Sequence, residues 1–166
     1  QLGLLRSVTD LDISQNMIES LPDTIGGLGE LVKLNLAHNR LSTLPETIIQ
    51  CTRLHELYLS SNHIKRLPMH LGKCTALRVL DLQSNLIVEI PANLACLINL
   101  RFLHLGKNLL RALPLDIVYL CETAEKLSLD RNPFTDLPPR WARFAGCSAH
   151  ERSLWPSGYD NELAIS

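Results

Sequence analysis

Short segments in which apolar and polar residues alternate recur along this chain at even intervals. Leu34-Asn35-Leu36 and Leu57-Tyr58-Leu59 are two examples, and each lies a few residues before an asparagine. Alternation with a period of two is typical of a β-strand that buries one face. The sequence therefore predicts one short, half-buried strand in each interval.

The interval is a sequence repeat. Six asparagines mark it, separated by 23, 23, 23, 23 and 24 residues: Asn16, Asn39, Asn62, Asn85, Asn108 and Asn132. An aliphatic residue five positions after each asparagine is always followed by proline, at Pro22, Pro45, Pro68, Pro91, Pro114 and Pro138. A period of this length indicates a solenoid, in which strands that return in the same direction build a parallel sheet with neighbours about 4.8 Å apart.

The proline predicts how the chain returns from one strand to the next. Proline lacks a backbone donor and holds φ near about −65°, so the segment after it cannot extend the sheet. We expect it to run irregularly or to form a short helical turn. Its inward edge is supplied by Ile25, Ile48, Leu71, Leu94 and Ile117, and three residues later by Leu28, Cys51, Cys74, Leu97 and Leu120. No single repeat buries these residues alone, so stacking must stabilise the chain.

The 23-residue unit LxxLxLxxNxLxxLPxxIxxLxx resembles the leucine-rich repeat of the intracellular Ras-group type, as in Scribble-like and Erbin-like scaffolds. The resemblance covers Val8 to Phe144. It implies an α/β leucine-rich-repeat solenoid, a curved right-handed horseshoe with a parallel β-sheet on its concave face and irregular or short helical turns on its convex face. For function it is a weak guide, because one solenoid serves many partners.

The repeat asparagines stand where apolar residues would be expected. A buried amide must have its donors and acceptors paired. We therefore predict that each one bonds turn backbone groups of its own repeat and of the adjacent repeat. This is a structural role rather than a ligand contact.

Three parts of the chain are predicted. Residues 1–7 form the end of a preceding repeat or an N-terminal cap, residues 8–146 form the repeat domain, and residues 147–166 form a tail that we expect to be flexible. The six repeats begin at residues 8, 31, 54, 77, 100 and 124. Because Leu2 and Leu5 match the register of an earlier repeat, we expect a fragment of a longer protein; the alternative is a short capping turn on Val8.

The last repeat departs from the pattern. Ala124 replaces the opening leucine, Phe134 replaces an aliphatic residue, and Trp141 and Phe144 occupy return-limb positions. Large aromatic side chains at a solenoid end cover core that would otherwise be exposed. We predict that this repeat acts as a C-terminal cap.

Composition narrows the class of protein. Leucine accounts for 35 of the 166 residues. The formal charge is −1 and the sequence shows no basic stripe, and both features disfavour nucleic acid as a ligand. No apolar run approaches the roughly 18 residues of a membrane span. The five cysteines are an odd number without CxxC spacing, and none of the asparagines begins an N-glycosylation sequon. These features favour a reducing, cytoplasmic compartment.

Function is expected at the variable positions of the concave sheet face. Tyr58, Val79, Phe102 and His104 form a partly apolar group in repeats three to five. Together with the charged rim they make up the concave patch, which we define as Glu56, Tyr58, Arg78, Val79, Asp81, Arg101, Phe102 and His104. Aromatic and arginine anchors inside a charged rim are the usual composition of a protein-binding hot spot. The alternative is a solvated strand face with ordinary cross-strand pairing of Tyr58 and Phe102.

Enzymatic and metal sites are not predicted. An Asp81–His104 pair is geometrically possible, but it has no nucleophile beside it on an open surface. His55 and His63 lack partners at metal-ligand spacing. Cys51 and Cys74 lie one period apart and are expected to stack in the core, where oxidation would bring a disulfide within reach.

The leading functional hypothesis is a non-catalytic, monomeric scaffold that binds a partner protein without any cofactor. The resemblance implies intracellular signalling assemblies, such as small GTPases, phosphatase subunits or polarity complexes. One alternative is the recognition portion of a larger enzyme (a kinase, GTPase or ubiquitin ligase) whose catalytic domain lies outside this chain. Another is a spacer without ligands, and a lipid or small-molecule role is the least favoured.

Overall fold

The computed structural model describes residues 7–117, 120 and 124–135. The predictions for residues 1–6, Pro138, Trp141, Phe144 and the 147–166 tail lie outside this part of the chain. The C-terminal cap is thus described only as far as Phe134, whose half-buried ring packs against the core.

Six short strands form one parallel sheet in the order of the chain. They are β1 (Asp10–Asp12), β2 (Lys33–Asn35), β3 (Glu56–Tyr58), β4 (Val79–Asp81), β5 (Phe102–His104) and β6 (Lys126–Ser128). Each strand pairs with its neighbour in equivalent register, so that the central leucines form one row: Leu11, Leu34, Leu57, Leu80, Leu103 and Leu127. This confirms the predicted leucine-rich-repeat solenoid and one strand per repeat.

The return segments are short 3₁₀ helices, at Asp23–Gly27, Glu46–Gln50, Leu71–Lys73, Ala92–Cys96 and Leu115–Ile117. In each of five repeats the proline carbonyl accepts the N–H of the residue three positions later, as Pro45 does from Ile48 at 3.1 Å. Pro45 itself has φ −68° and an extended ψ, so it ends the preceding segment and starts the turn. The helical form of the predicted return limb is confirmed.

The core runs between the sheet and these helices. The inward residues of the return limbs, including Ile25, Ile48 and Leu94, are fully buried. Cys51 and Cys74 lie in the same core as free thiols, and burial raises the pKa of Cys74 to about 11, with a further contribution from Cys51. At neutral pH both thiols are therefore protonated and act as small hydrophobic residues.

The repeat asparagines form the predicted ladder. Asn62 donates from Nδ2 to the carbonyls of Leu59 (3.0 Å) and of Leu36 in the preceding repeat (2.9 Å). Its Oδ1 accepts the N–H of Leu41 at 2.9 Å. Asn39, Asn85 and Asn108 repeat this arrangement, and all four are buried. The amide thus joins consecutive turns, which confirms its structural role.

The residue before each asparagine has a left-handed backbone, a feature that the sequence did not reveal. The six residues have φ between 55° and 57° and none is glycine: Gln15, His38, Ser61, Ser84, Lys107 and Arg131. This conformation turns the chain away from the strand and into the asparagine ladder. Side chains with a branched Cβ are strongly disfavoured there.

Ser84→Val is expected to lower the free energy of unfolding by about 1–2 kcal/mol, because valine tolerates a positive φ poorly. Ser84→Asn is expected to stay within about 0.5 kcal/mol of the parent, since asparagine accepts this region more readily. Urea denaturation measures both, with Thr52→Val as an exposed control outside the positive-φ set. Equal stability of the two Ser84 variants would contradict a backbone cause.

Candidate functional site

Two rows of side chains cross the exposed face of the sheet, as the register of the strands shows. The central row consists of Asp12, Asn35, Tyr58, Asp81, His104 and Ser128, and the outer row of Asp10, Lys33, Glu56, Val79, Phe102 and Lys126. Both rows were expected from the repeat. Within each row, consecutive side chains lie one strand apart, at about 4.8 Å between backbones.

The apolar part of the concave patch spans β3 to β5. Val79 and Phe102 are direct partners across β4 and β5, and both are half-buried. Tyr58 lies on the neighbouring β3 and His104 lies two residues beyond Phe102, also half-buried. The structure therefore brings these four residues onto one continuous surface.

Three of the six residues in the central row have a structural task. Oδ1 of Asp12, Asn35 and Asp81 accepts the backbone N–H two residues later, at distances between 2.9 and 3.1 Å. This bond closes the turn that follows the strand. The Ser14 hydroxyl, followed by the Ser14 amide, also holds the pKa of Asp12 below its usual value.

Tyr58 and His104 occupy the same row but have no carboxylate or amide oxygen with which to close the turn. These two positions therefore lack the stabilising bond to the backbone N–H two residues later, and each instead places a large ring on the exposed face. Asp81, a rim residue of the concave patch, does close its turn, because its Oδ1 accepts the N–H of Gln83 at 3.0 Å. Tyr58 and His104 are thus the two rings of a row in which Asp12, Asn35 and Asp81 close the turn.

Tyr58 is held in place by two charged neighbours. Its hydroxyl donates to Oε2 of Glu56 at 3.0 Å, and Nζ of Lys33 lies 5.5 Å from its ring centroid. Lys33 also pairs with Glu56 at 3.6 Å. Burial, and then the hydrogen bond to Glu56, raises the pKa of Tyr58. The ring is thus a neutral, positioned surface at physiological pH.

Two of the suggested side-chain pairs are not formed. Nδ1 of His104 lies 3.3 Å from Oγ of Ser128. No ion pair joins His104 to Asp81 among the residues that the structure describes. Tyr58 and Phe102 are not cross-strand partners, because β4 lies between their strands. The register explains only the second result. His104 has both Asp81 and Ser128 as neighbours in the central row, and its side chain contacts Ser128.

The two arginines of the rim differ. Arg101 pairs with Glu125 at 3.4 Å, whereas the exposed Arg78 has no ion-pair partner among the residues that the structure describes. A surface pair of this kind contributes little to stability. Arg78 is consequently the cation of the concave patch that is free to meet an acidic group.

Over residues 7–117, 120 and 124–135, no group of three His, Cys, Asp or Glu side chains is placed to hold a metal ion. No helix in the same part of the chain is long and apolar enough to cross a membrane.

A second surface was not anticipated from the sequence. It is an open groove of about 510 Å³ on the segments that follow the repeat asparagines, and we call it the lateral groove. Its lining consists of Ser42, Thr43, Lys65, Arg66, Leu86, Val88 and Leu109. The signal was present in the sequence, since Leu86, Val88 and Leu109 are apolar at repeat positions where Arg40, Ser42 and His63 are polar.

Comparison with known proteins agrees with the geometry. The profile described as "Leucine rich repeat" matches residues 52–110, and that described as "Leucine Rich repeats (2 copies)" matches residues 29–72. No curated protein matches the sequence.

Several solved structures share the fold. A leucine-rich repeat protein of Leptospira interrogans is 29% identical with a TM-score of 0.69, over 82% of this chain and 41% of that one. The ectodomain of the Arabidopsis thaliana membrane receptor kinase GASSHO1/SCHENGEN3, in complex with CASPARIAN STRIP INTEGRITY FACTOR 2, is 31% identical with a TM-score of 0.73, over 82% of this chain and 17% of that one. The plant peptide hormone receptor RGFR1, in complex with RGF2, is 28% identical with a TM-score of 0.72, over 82% of this chain and 22% of that one.

This chain thus spans less than half the length of each of these proteins. The common element is the stacked repeat, which is generally a non-catalytic binding fold. The matching profiles, the six-stranded parallel sheet and the asparagine ladder together identify this chain as a leucine-rich repeat protein.

Proposed function

We propose that this chain is a non-catalytic scaffold of the intracellular Ras-group type, and that it binds a partner protein through the concave patch. The observation that carries the proposal is the placement of Tyr58 and His104 in a row where Asp12, Asn35 and Asp81 close the turn. Stability alone favours a turn-closing residue there, so the two rings are best explained by contact with a ligand.

The surface around the two rings has the composition of an interface. Val79 and Phe102 supply an apolar centre on adjacent strands, and the side chains of Tyr58 and His104 already contact Glu56 and Ser128. Anchors that are positioned before binding lose little side-chain entropy in the complex. Arg78 and Glu56 at the rim would orient a polar partner and make association depend on salt.

A polypeptide ligand agrees with the structural relatives, two of which are described in complex with named partners. The Ras-group assignment rests on the Leu-Pro or Ile-Pro pair in every repeat. A cytoplasmic location is supported by the free thiols of Cys51, Cys74 and Cys96 and by the missing glycosylation sequons. On this basis we propose signalling proteins, such as small GTPases, phosphatase subunits or polarity complexes, as the class of partner.

Replacing Tyr58, Phe102 and His104 together by alanine is expected to weaken partner binding by at least about tenfold, because hot-spot aromatic anchors dominate interface energy. The partner is first recovered from cell extract on the immobilised parent chain and identified by mass spectrometry. Its affinity for the parent and the variant is then measured with purified components at two salt concentrations.

The matched control removes three exposed side chains from the return limbs, with Thr52, Met69 and Ile98 replaced by alanine. Thermal unfolding must show that both triple variants are folded. Binding that falls only in the concave variant supports the proposal. Equal affinity of the two variants would move the interface away from the concave patch.

The second candidate function is target recognition within a larger enzyme, of which this chain would be the non-catalytic portion. It is favoured by one comparison, since a similar solenoid forms the ectodomain of a membrane receptor kinase. The two candidates differ in what lies beyond this chain. Sequencing the full transcript distinguishes them, because only the second requires a catalytic domain in the same reading frame.

A further inference from the structure

The lateral groove lies on a different side of the solenoid from the sheet. Backbone hydrogen bonds join consecutive repeats there as well. The N–H of Leu86 donates to the carbonyl of Ile64, and the N–H of Leu109 donates to the carbonyl of Ile87, both at 2.9 Å. These bonds keep consecutive repeats at about strand spacing. Residues at equivalent repeat positions therefore form straight rows across the groove.

One half of the lateral groove is apolar. Leu86, Val88 and Leu109 expose 36%, 47% and 46% of their surface, and they belong to the adjacent repeats four and five. Their neighbours in the rows of repeats two and three are polar. A contiguous apolar surface flanked by polar residues is typical of an interaction site, whereas single exposed leucines carry no such meaning.

The other half is basic. Lys65 and Arg66 line it, and the exposed Arg40 lies in the preceding repeat, in the same row as Leu86 and Leu109. Nε of Arg66 lies 3.7 Å from Oε1 of Glu89, with both side chains at least 70% exposed. Lys65 and Arg40 make no ion pair with any residue that the structure describes. Two cations of this surface are thus unneutralised beside an apolar floor.

We propose that the lateral groove is a second interaction surface, which binds an extended peptide carrying acidic residues next to leucine-like residues. The acidic residues would pair with Lys65 and Arg40, and the apolar ones would cover Leu86, Val88 and Leu109. Alternate residues of an extended chain lie about 6.8 Å apart on one face. Two acidic and two apolar residues in alternate positions span about 20 Å, which covers the roughly 14 Å from repeat two to repeat five.

Charge complementarity selects this occupant over others. A symmetric contact with a second copy would place the basic half against the other basic half or against the other apolar half, and neither arrangement neutralises Lys65 and Arg40. An acidic peptide would instead form ion pairs with Lys65 and Arg40, which have no ion-pair partner among the described residues. This site is independent of the concave patch, so it does not require the proposed function to be correct.

The test uses a fluorescein-labelled decapeptide, Ser-Glu-Asp-Glu-Ser-Leu-Ser-Leu-Ser-Gly, and fluorescence anisotropy with the full chain. We expect saturable binding that weakens at high salt. Lys65→Glu is expected to weaken it by at least about tenfold. Leu109→Asp is expected to have a similar effect because it places a charge on the apolar floor. The concave triple variant should bind the peptide like the parent.

The matched control is Lys126→Glu, which makes the same charge change on the exposed sheet face. A specific site predicts that Lys126→Glu retains binding while Lys65→Glu loses it. Equal loss in both variants would reduce the effect to non-specific charge attraction, and no saturation up to about 1 mM peptide would overturn the proposal. Light scattering that finds a dimer of the parent, dissociated by Leu109→Asp, would make a second copy the occupant and overturn it as well.

Discussion

Asn62→Leu is expected to lower the free energy of unfolding by about 3 kcal/mol, although leucine has a similar size and is the commonest residue of the repeat. The variant leaves the N–H of Leu41 without a partner. It also removes one of the two amide donors from the carbonyls of Leu36 and Leu59, which keep their bonds to Asn39 and Asn85. The Leu41 N–H lies inside the stack, where water cannot replace the amide. An unpaired buried polar group costs about 1–3 kcal/mol.

The measurement is urea denaturation followed by far-ultraviolet circular dichroism. Asn62→Asp is a useful companion, because it keeps an oxygen for Leu41 but places a second oxygen against carbonyls at 2.9–3.4 Å. We expect it to be at least as destabilising as leucine.

Asn99→Leu is the matched control, since Asn99 is exposed and makes a single bond to the Thr75 carbonyl at 2.9 Å. It is expected to change stability by less than about 1 kcal/mol. If Asn62→Leu were as stable as this control, the asparagine ladder would not be what joins the repeats.

Gly72→Ala is expected to destabilise the chain by about 2–3 kcal/mol through the addition of one methyl group. An added Cβ would lie 1.9 Å from the backbone oxygen of Asn93 in the next repeat. Backbone cannot rotate away as a side chain does, so the 3₁₀ helices Leu71–Lys73 and Ala92–Cys96 would have to separate. The leucines beneath them would lose contact with one another.

Gly29→Ala provides the control, because an added Cβ there has no atom within 4 Å. It is expected to be neutral or slightly stabilising, since alanine restricts the unfolded chain more than glycine does. Thermal unfolding of the two variants separates a steric effect from a general intolerance of alanine. Equal midpoints would contradict the close approach at Gly72.

The architecture was predictable from the sequence because it rests on local chemistry that every repeat carries. Leucine alternation marks the strands, and proline with a fixed φ starts the 3₁₀ turn, as Pro45 does for Ile48. The asparagine role also followed, because a polar residue at a core position must find partners. Each of these inferences needs only one repeat and its neighbour.

The candidate site was predictable only in outline. The repeat alone placed Tyr58, Val79, Phe102 and His104 on one face, as the strand register shows. It did not reveal that His104 faces Ser128 or that Asp81 closes a turn. Such choices depend on side-chain rotamers and on competing partners, which a pattern of residue types does not contain.

The sequence by itself determined the solenoid, its parallel sheet and the identity of the buried rows, since these follow from a period of 23 residues that repeats the same local preferences. Only the tertiary structure decided the left-handed backbone at Ser84, the close approach of Gly72 to Asn93 and the assembly of the lateral groove. The physical reason is that these features arise between repeats. They depend on how closely neighbouring turns stack, and that distance is set by the packing of the whole array.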